Sequence, residues 1–226
     1  MKGRTAGARG RGDRRLRSRH AGPARPGTPR ALAHGRAALG TGGSLFPRLH
    51  RQSSLLAAAE AVAQVDGPGP GDVWSRLLHD YAHASDRVVS VDGDDEAATL
   101  GWLKPRGVVS LLVTERCDDD DAAEHLVAAL AAMNAVTLSV HEARAARLRP
   151  LLDVLHRLLP DAFAELPVDR SAHYPAGTAV AVLAPGVLYR DWAPPQALAG
   201  PAHDDDDRLA MLTLYGRIRQ LDVRPS

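Results

Sequence analysis

Between Gly107 and Glu142 the chain reads GVVSLLVT, then ERCDDDD, then AAEHLVAALAAMN, then AVTLSVHE. An apolar strand, an acidic turn, an Ala/Leu helix and a second strand follow one another without a spare residue. This order is a β-α-β unit, the building block of a nucleotide-binding sheet. The residue types at its turns decide whether a phosphate, a metal or nothing is bound there.

The flanking sequence extends the same pattern. SSLLAAAEAVAQV from Ser53 reads as a helix capped by Ser53 or Ser54, and DGPGPGD (66–72) breaks it. Asp72 caps a second helix in which Val73, Trp74, Leu77, Leu78 and Tyr81 recur at helical spacing. Residues 91–101 read as a turn-rich connection, and Pro105 suits the edge or start of the strand that begins near Gly107. Helices are expected over 121–133 and 143–159, with a strand over 135–141 between them. Leu148, Leu151, Leu152, Leu155 and Leu159 form the core stripe of the second helix, which Pro150 should kink or start. Residues 163–169 and 178–185 are two further strands, and 204–221 is a capped helix with a polar end. The expected fold class is α/β: a Rossmann-like, mostly parallel sheet flanked by helices.

Charge divides the chain. Residues 1–51 carry thirteen Lys/Arg and one acid, a net +12, whereas residues 52–226 carry fifteen Lys/Arg and twenty-six Asp/Glu, a net −11. The first segment is Arg/Gly/Pro-rich and nearly free of aromatic and β-branched residues. It buries too little apolar area to offset ordering its backbone, so a disordered tail is expected over 1–51 and an α/β domain over 52–226. A start codon assigned too far upstream would also produce such a tail. Arg11, Arg14, Arg15, Arg17 and Arg19 could touch nucleic-acid phosphates without sequence preference. No apolar run reaches the roughly 20 residues of a membrane helix. The lone Cys117 excludes an internal disulfide and a cysteine zinc cluster. A cytoplasmic protein is expected.

Few residues suggest chemistry. Acidic neighbours disfavour the Cys117 thiolate, which argues against a nucleophile. The runs Asp118–Asp121 and Asp204–Asp207 lack the spacing of a calcium loop, and each precedes a helix whose N–H groups and dipole a carboxylate satisfies. At the first helix such acids would also repel a pyrophosphate. His79 and His83 share a helix face without a third metal ligand in view, while His125, His141, His156 and His173 lack a hydrolase elbow. Met211, Leu212, Leu214, Tyr215 and Ile218 form an apolar face that either docks on the sheet or pairs with another subunit, giving a homo-oligomer or a partner contact.

ALAAMNAVTLSVHE (129–142) resembles the ALAAGNAVVLKPSE segment of the aldehyde dehydrogenase superfamily, and PRGVVSLLVT (105–114) resembles that family's PRGVVAVISP. The interval from Gly107 to Asn134 aligns without a gap, and the likeness spans roughly residues 55–185. The acidic DDDDAAEHLVAALAAMN version resembles the inert aldehyde-dehydrogenase-like domain that ends some proline-utilisation flavoenzymes. The resemblance implies an NAD-binding fold, but the residues depart from it. Thr114, Glu115, Arg116, Cys117 and Asp118 stand in place of PWNFP, so Arg116 replaces the oxyanion asparagine and is expected to pair with the acids around it. Ser139 replaces the ribose-binding lysine, whereas Glu142 keeps the ribose-binding glutamate. Gly186 falls near the family's glycine turn. The family's nucleophilic cysteine and its base lie beyond the end of this sequence. The resemblance thus implies a degenerate domain without dehydrogenase chemistry, either an interaction module or the remnant of a longer enzyme. NAD is the cofactor if any is bound, through Glu142, Ser139 and Gly186. A nucleotide-binding protein and a nucleic-acid-associated protein acting through residues 1–51 stand as alternatives.

Overall fold

Val108–Val113 and Ala135–Val140 are short, β-branched and apolar, and both end up buried almost throughout. A computed structural model describes residues 45–65, 71–85, 90–93, 98–168, 174 and 176–223. The expectations placed on residues 1–44, and on His173, lie outside the described residues.

The elements, in chain order, are α1 (Leu45–Ala63), α2 (Gly71–Ala84), β1 (Ser90–Gly93), β2 (Ala98–Pro105), β3 (Val108–Val113), α3 (Asp119–Ala131), β4 (Ala135–Val140), α4 (Glu142–Leu158), β5 (Phe163–Glu165), β6 (Thr178–Ala184), β7 (Val187–Arg190), β8 (Ala193–Ala197), α5 (Asp205–Tyr215) and β9 (Gly216–Val223). Two sheets result, with strand orders β1-β2-β9 and β5-β4-β3-β6-β7-β8. Strands β5, β4, β3 and β6 run parallel, with Val108 opposite both Ala135 and Thr178. The expected mostly parallel α/β sheet is therefore present. Strands β7 and β8 extend it in antiparallel fashion, and the three-stranded sheet is antiparallel throughout.

Three sequence expectations change. The connection over 91–101 contains β1 and the start of β2. The terminal helix stops at Tyr215, because Gly216 breaks it and residues 216–223 pair with β2 along its whole length. Local helix propensity loses there to eight cross-strand pairings that the sequence window cannot show. The first helix begins at Leu45 rather than near Ser53, and so includes Arg48 and Arg51. Pro150 lies within α4, which continues through it.

α3 is the centre of the molecule, buried from Ala122 to Ala131. Val109, Leu111 and Val113 of β3, Val136 and Leu138 of β4, and Ala181 and Leu183 of β6 join the helices in one core. Residues of the opposite phase, Val108 and Ala135, form a separate small cluster. Buried hydroxyls of Ser110, Thr137 and Ser139 share that phase. Each fully buried Leu or Val contributes about 1.5–3 kcal/mol. The acidic caps contribute less, about 1 kcal/mol for an N-cap side chain. Asp118 accepts from Asp120 N, Asp204 accepts from Asp207 N, and Asp207 accepts from His203 N. Both aspartate runs thus cap helices, as their position in the sequence suggests. Met211, Leu212 and Tyr215 of α5 are buried within their own chain, in the same core as α3. No helix among the described residues is long and apolar enough to cross a membrane.

One polar residue ties these layers together. Asn134 is fully buried, and its Oδ1 accepts from Arg106 N (2.8 Å) and Gly107 N (3.2 Å). Its Nδ2 donates to Ala129 O and to Tyr215 O, both at 3.0 Å. Arg51, whose pKa burial lowers to about 10, donates to Leu130 O and Asn134 O and so closes the carboxyl end of α3. Just before Asn134, Met133 has φ +68, a left-handed conformation. The resembling family motif carries glycine at that position. A side chain in this conformation costs roughly 1–2 kcal/mol.

Two further buried polar pairs link the helices. Tyr81 Oη donates to Glu124 Oε1 at 2.9 Å, which also accepts from Ala202 N, and His125 Nδ1 lies 2.6 Å from Tyr215 Oη. Burial raises the Glu124 pKa and lowers that of His125 to about 4.

Asn134→Ala should cost about 3 kcal/mol or more in urea unfolding, because it strands two buried N–H groups and the Tyr215 carbonyl. Asn134→Asp should lose at least as much, since the oxygen that replaces Nδ2 cannot donate to Ala129 O or Tyr215 O and brings charge into a buried site. His125 predicts an acid weakness. Below pH 6.5 the unfolded imidazole takes up a proton that the folded one refuses until about pH 4. Stability therefore falls as pH drops through that window, by up to roughly 3 kcal/mol for this group. Glu124, with its raised pKa, acts in the opposite sense. The His125→Phe/Tyr215→Phe double variant should show a flatter acid limb than the wild type in pH-resolved denaturation.

Candidate functional site

In an open parallel sheet, ligands bind outside the carboxyl ends of the strands. At that edge this chain has three turns. Thr114–Asp118 follows β3, His141 leads from β4 into α4, and Pro185–Gly186 follows β6. The register places Val113 opposite both Val140 and Leu183, so the three turns are neighbours. Thr114 is fastened to β6 through N and Oγ1, both donating to Leu183 O.

The α3 N-terminus is where a phosphate would meet free N–H groups. The chain places its own anion there. Asp119 in the first turn of α3 receives Arg144 Nη1 on Oδ1 and Arg147 Nη1 on Oδ2, each at 3.3 Å. Arg144 Nε also donates to Glu115 O at 2.8 Å. These two arginines come from the first turns of α4. Asp119 is thus neutralised from the neighbouring helix. Arg116, expected to pair with these acids, is exposed and makes no ion pair among the described residues. The counter-charge of Asp119 comes from α4 instead.

Cys117 is fully buried behind this turn, with Sγ 3.5 Å from Asp118 O. Burial pushes its thiol up to about 11, and Asp121 and Asp118 push the same way. The direction agrees with the sequence reading, but burial outweighs the acids. Of the proposed ribose contacts, Glu142 is exposed at the start of α4, whereas Ser139 is buried within β4, opposite Leu112. Gly186 has φ +69 and forms, with Pro185, the two-residue turn joining Ala184 to its partner Val187. A tight turn with a positive φ at its second position requires glycine. β7 follows it directly, so no helix N-terminus stands at this glycine.

The histidines have ordinary surroundings. His79 and His83 are exposed on α2 with rings 4.6 Å apart, and His79 meets Asp80. His141 caps α4 by accepting from Ala143 N, and His156 lies 2.8 Å from Glu165, which also holds Arg149. Among the described residues no three His, Cys, Asp or Glu side chains are grouped to hold a metal ion. Sequence reasoning missed the Tyr81–Glu124 and His125–Tyr215 pairs. Their partners lie 43 and 90 residues apart, with no local pattern to join them.

No family model matches the sequence, and neither does any curated protein. Solved structures do resemble it in fold. The chain is similar to PnpE in complex with nicotinamide adenine dinucleotide, at 16% identity and a TM-score of 0.45 over 61% of this chain and 32% of that one. It is similar to a bifunctional proline utilization A protein at 20% identity and a TM-score of 0.45, covering 66% of this chain and 18% of that one. It also resembles glyceraldehyde-3-phosphate dehydrogenase GapN from Methanocaldococcus jannaschii complexed with NADP. That likeness has 12% identity and a TM-score of 0.40, over 61% of this chain and 35% of the other. In each case the chain spans about a third or less of the longer protein.

The environment of Cys117 makes a direct prediction. Iodoacetamide at pH 7.5 should leave the folded protein unlabelled over hours and label it at once in 6 M guanidinium, as mass spectrometry would read out. Rapid labelling of the folded chain would contradict a buried thiol with a raised pKa.

Proposed function

We propose that this chain is a degenerate aldehyde-dehydrogenase-like domain without dehydrogenase chemistry of its own, acting as a structural or interaction module or as part of a longer enzyme. The observation that carries this reading is the Asp119–Arg144–Arg147 cluster. A nucleotide phosphate approaching the α3 N-terminus would meet four consecutive aspartates, one of which already holds the two nearest arginines. Binding would require breaking that cluster and placing like charges together.

Three further observations support the proposal. A thioacyl mechanism needs a nucleophile, a base and an oxyanion site in one cleft. Cys117 is buried with a raised pKa, and Arg116 replaces the asparagine that the family resemblance calls for. Gly186 is accounted for by its hairpin turn. The nucleotide-binding alternative retains Glu142, exposed beside these turns.

Calorimetric titration with NAD⁺ and with NADP⁺ should give no saturable heat up to millimolar nucleotide, and incubation with short aldehydes and NAD⁺ should produce no absorbance at 340 nm. Saturable binding abolished by Glu142→Ala would favour the nucleotide-binding reading. Steady NADH production would overturn the proposal altogether.

A further inference from the structure

Many half-buried arginines of this protein face carboxylates. Arg144 meets Asp119, Arg149 meets Glu165, and Arg208 meets Asp80 and Asp205. Arg51 meets backbone carbonyls instead, and a further cluster without an ion pair among the described residues lies at the opposite edge of the sheet from Glu142 and Gly186. The guanidinium carbon of Arg106, just ahead of β3, is 4.5 Å from the centroid of the Trp192 ring. That of Arg190, at the end of β7, is 5.9 Å from the same ring. One indole attracts two cations without neutralising either.

Arg190 spends Nη1 on Leu214 O and Nη2 on Gln196 Oε1, both neutral acceptors. The Nε atoms of Arg106 and Arg190, and Nε1 of Trp192, are buried without hydrogen-bond partners. A third cation adjoins them. Arg217 of β9 stands opposite Lys104, two positions before Arg106, and Gly216 stands opposite Pro105. Burial, Arg217 and Arg190 together lower the Arg106 pKa, against which the exposed Asp191 acts alone. Among the described residues, Arg106, Arg190 and Arg217 make no ion pair with a carboxylate. Carboxylates are plentiful in this acidic domain, yet among the described residues only Asp191 acts on Arg106, and without an ion pair.

We propose that Arg106 and Arg190, set about Trp192, together with Arg217 beside Arg106, form a binding site for a phosphate-type oxyanion. Three elements from two sheets bring their positive charge to one point. A planar carboxylate can answer one guanidinium fork, whereas a phosphate group offers three acceptor oxygens and up to two charges. The unpartnered donors are N–H groups, and the acceptors a phosphate would compete with are neutral, Leu214 O and Gln196 Oε1 on Arg190. The inference does not rest on the function proposed above, because this cluster and the Asp119 turn share no residue.

The test uses the full chain and inorganic phosphate, with sodium chloride at matched ionic strength as reference. Calorimetry should give saturable binding, and thermal unfolding should shift upward in phosphate beyond the chloride control. Arg106→Gln should weaken phosphate binding at least about tenfold, the loss of one charge-assisted contact. Asp191→Asn should tighten it about threefold by removing an opposing charge, which keeps the test decisive even if Arg106→Gln folds poorly. Arg157→Gln, on the exposed part of α4, should leave the affinity unchanged. A thymidine oligonucleotide that competes with phosphate, and ceases to do so in Arg106→Gln, would assign the phosphate to a nucleic-acid backbone. Absence of competition would assign it to a small phosphorylated molecule. Equal effects of chloride and phosphate, or no response to either substitution, would overturn the proposal. So would a dimer that phosphate disperses, since the anion would then be a carboxylate from a second copy.

Discussion

The side chain of Asn134 fastens together three parts of the core that are distant in sequence. It uses both amide hydrogens and its oxygen within a fully buried site, joining the end of α3, the start of β3 and the last turn of α5. Arg51 reaches the same corner from α1 by way of the Asn134 carbonyl. In a low-dielectric interior such a network is stabilising only when complete, because each missing partner leaves a buried polar group unpaired. The β2–β9 sheet depends on this corner as well. Tyr215 O accepts from Asn134 immediately before Gly216 turns the chain into β9.

The two edges of the parallel sheet differ in their charge balance. At the carboxyl edge the acids of the α3 turn meet arginines of α4, and Asp119 is neutralised twice. At the amino edge Arg106 and Arg190 flank one tryptophan, Arg217 adjoins Arg106, and among the described residues Asp191 is the carboxylate that acts on Arg106. A nucleotide-binding fold welcomes anions at the first edge. This chain has filled that place with its own carboxylate and left unbalanced positive charge at the other.

Much of the architecture was legible along the chain. The leucine stripe of α4 follows a helical period, while the short β-branched runs at 108–113 and 135–140 and the longer Ala/Leu stretch between them are told apart by length and residue type. The antiparallel additions were not legible. β7 and β8 are short and contain Pro194 and Pro195, and β9 follows a helix without a break. Their strand character comes from partners distant in sequence. The candidate site divides in the same way. The capping role of Asp118 and the direction of the Cys117 shift follow from neighbours in sequence. The pairing of Asp119 with Arg144 and Arg147 spans 25 and 28 residues and needs α3 and α4 to lie side by side.

The sequence by itself determined the β-α-β core, the parallel class of its sheet and the acidic caps, because periodicity, turn chemistry and helix dipoles act over a few residues. Tertiary structure decided which charges are neutralised and which are not. Arg144 and Arg106 are equally cationic in the sequence. Packing sets one against Asp119 and the other against Trp192 and Arg190, and an ion pair exists only where the fold brings opposite charges within reach.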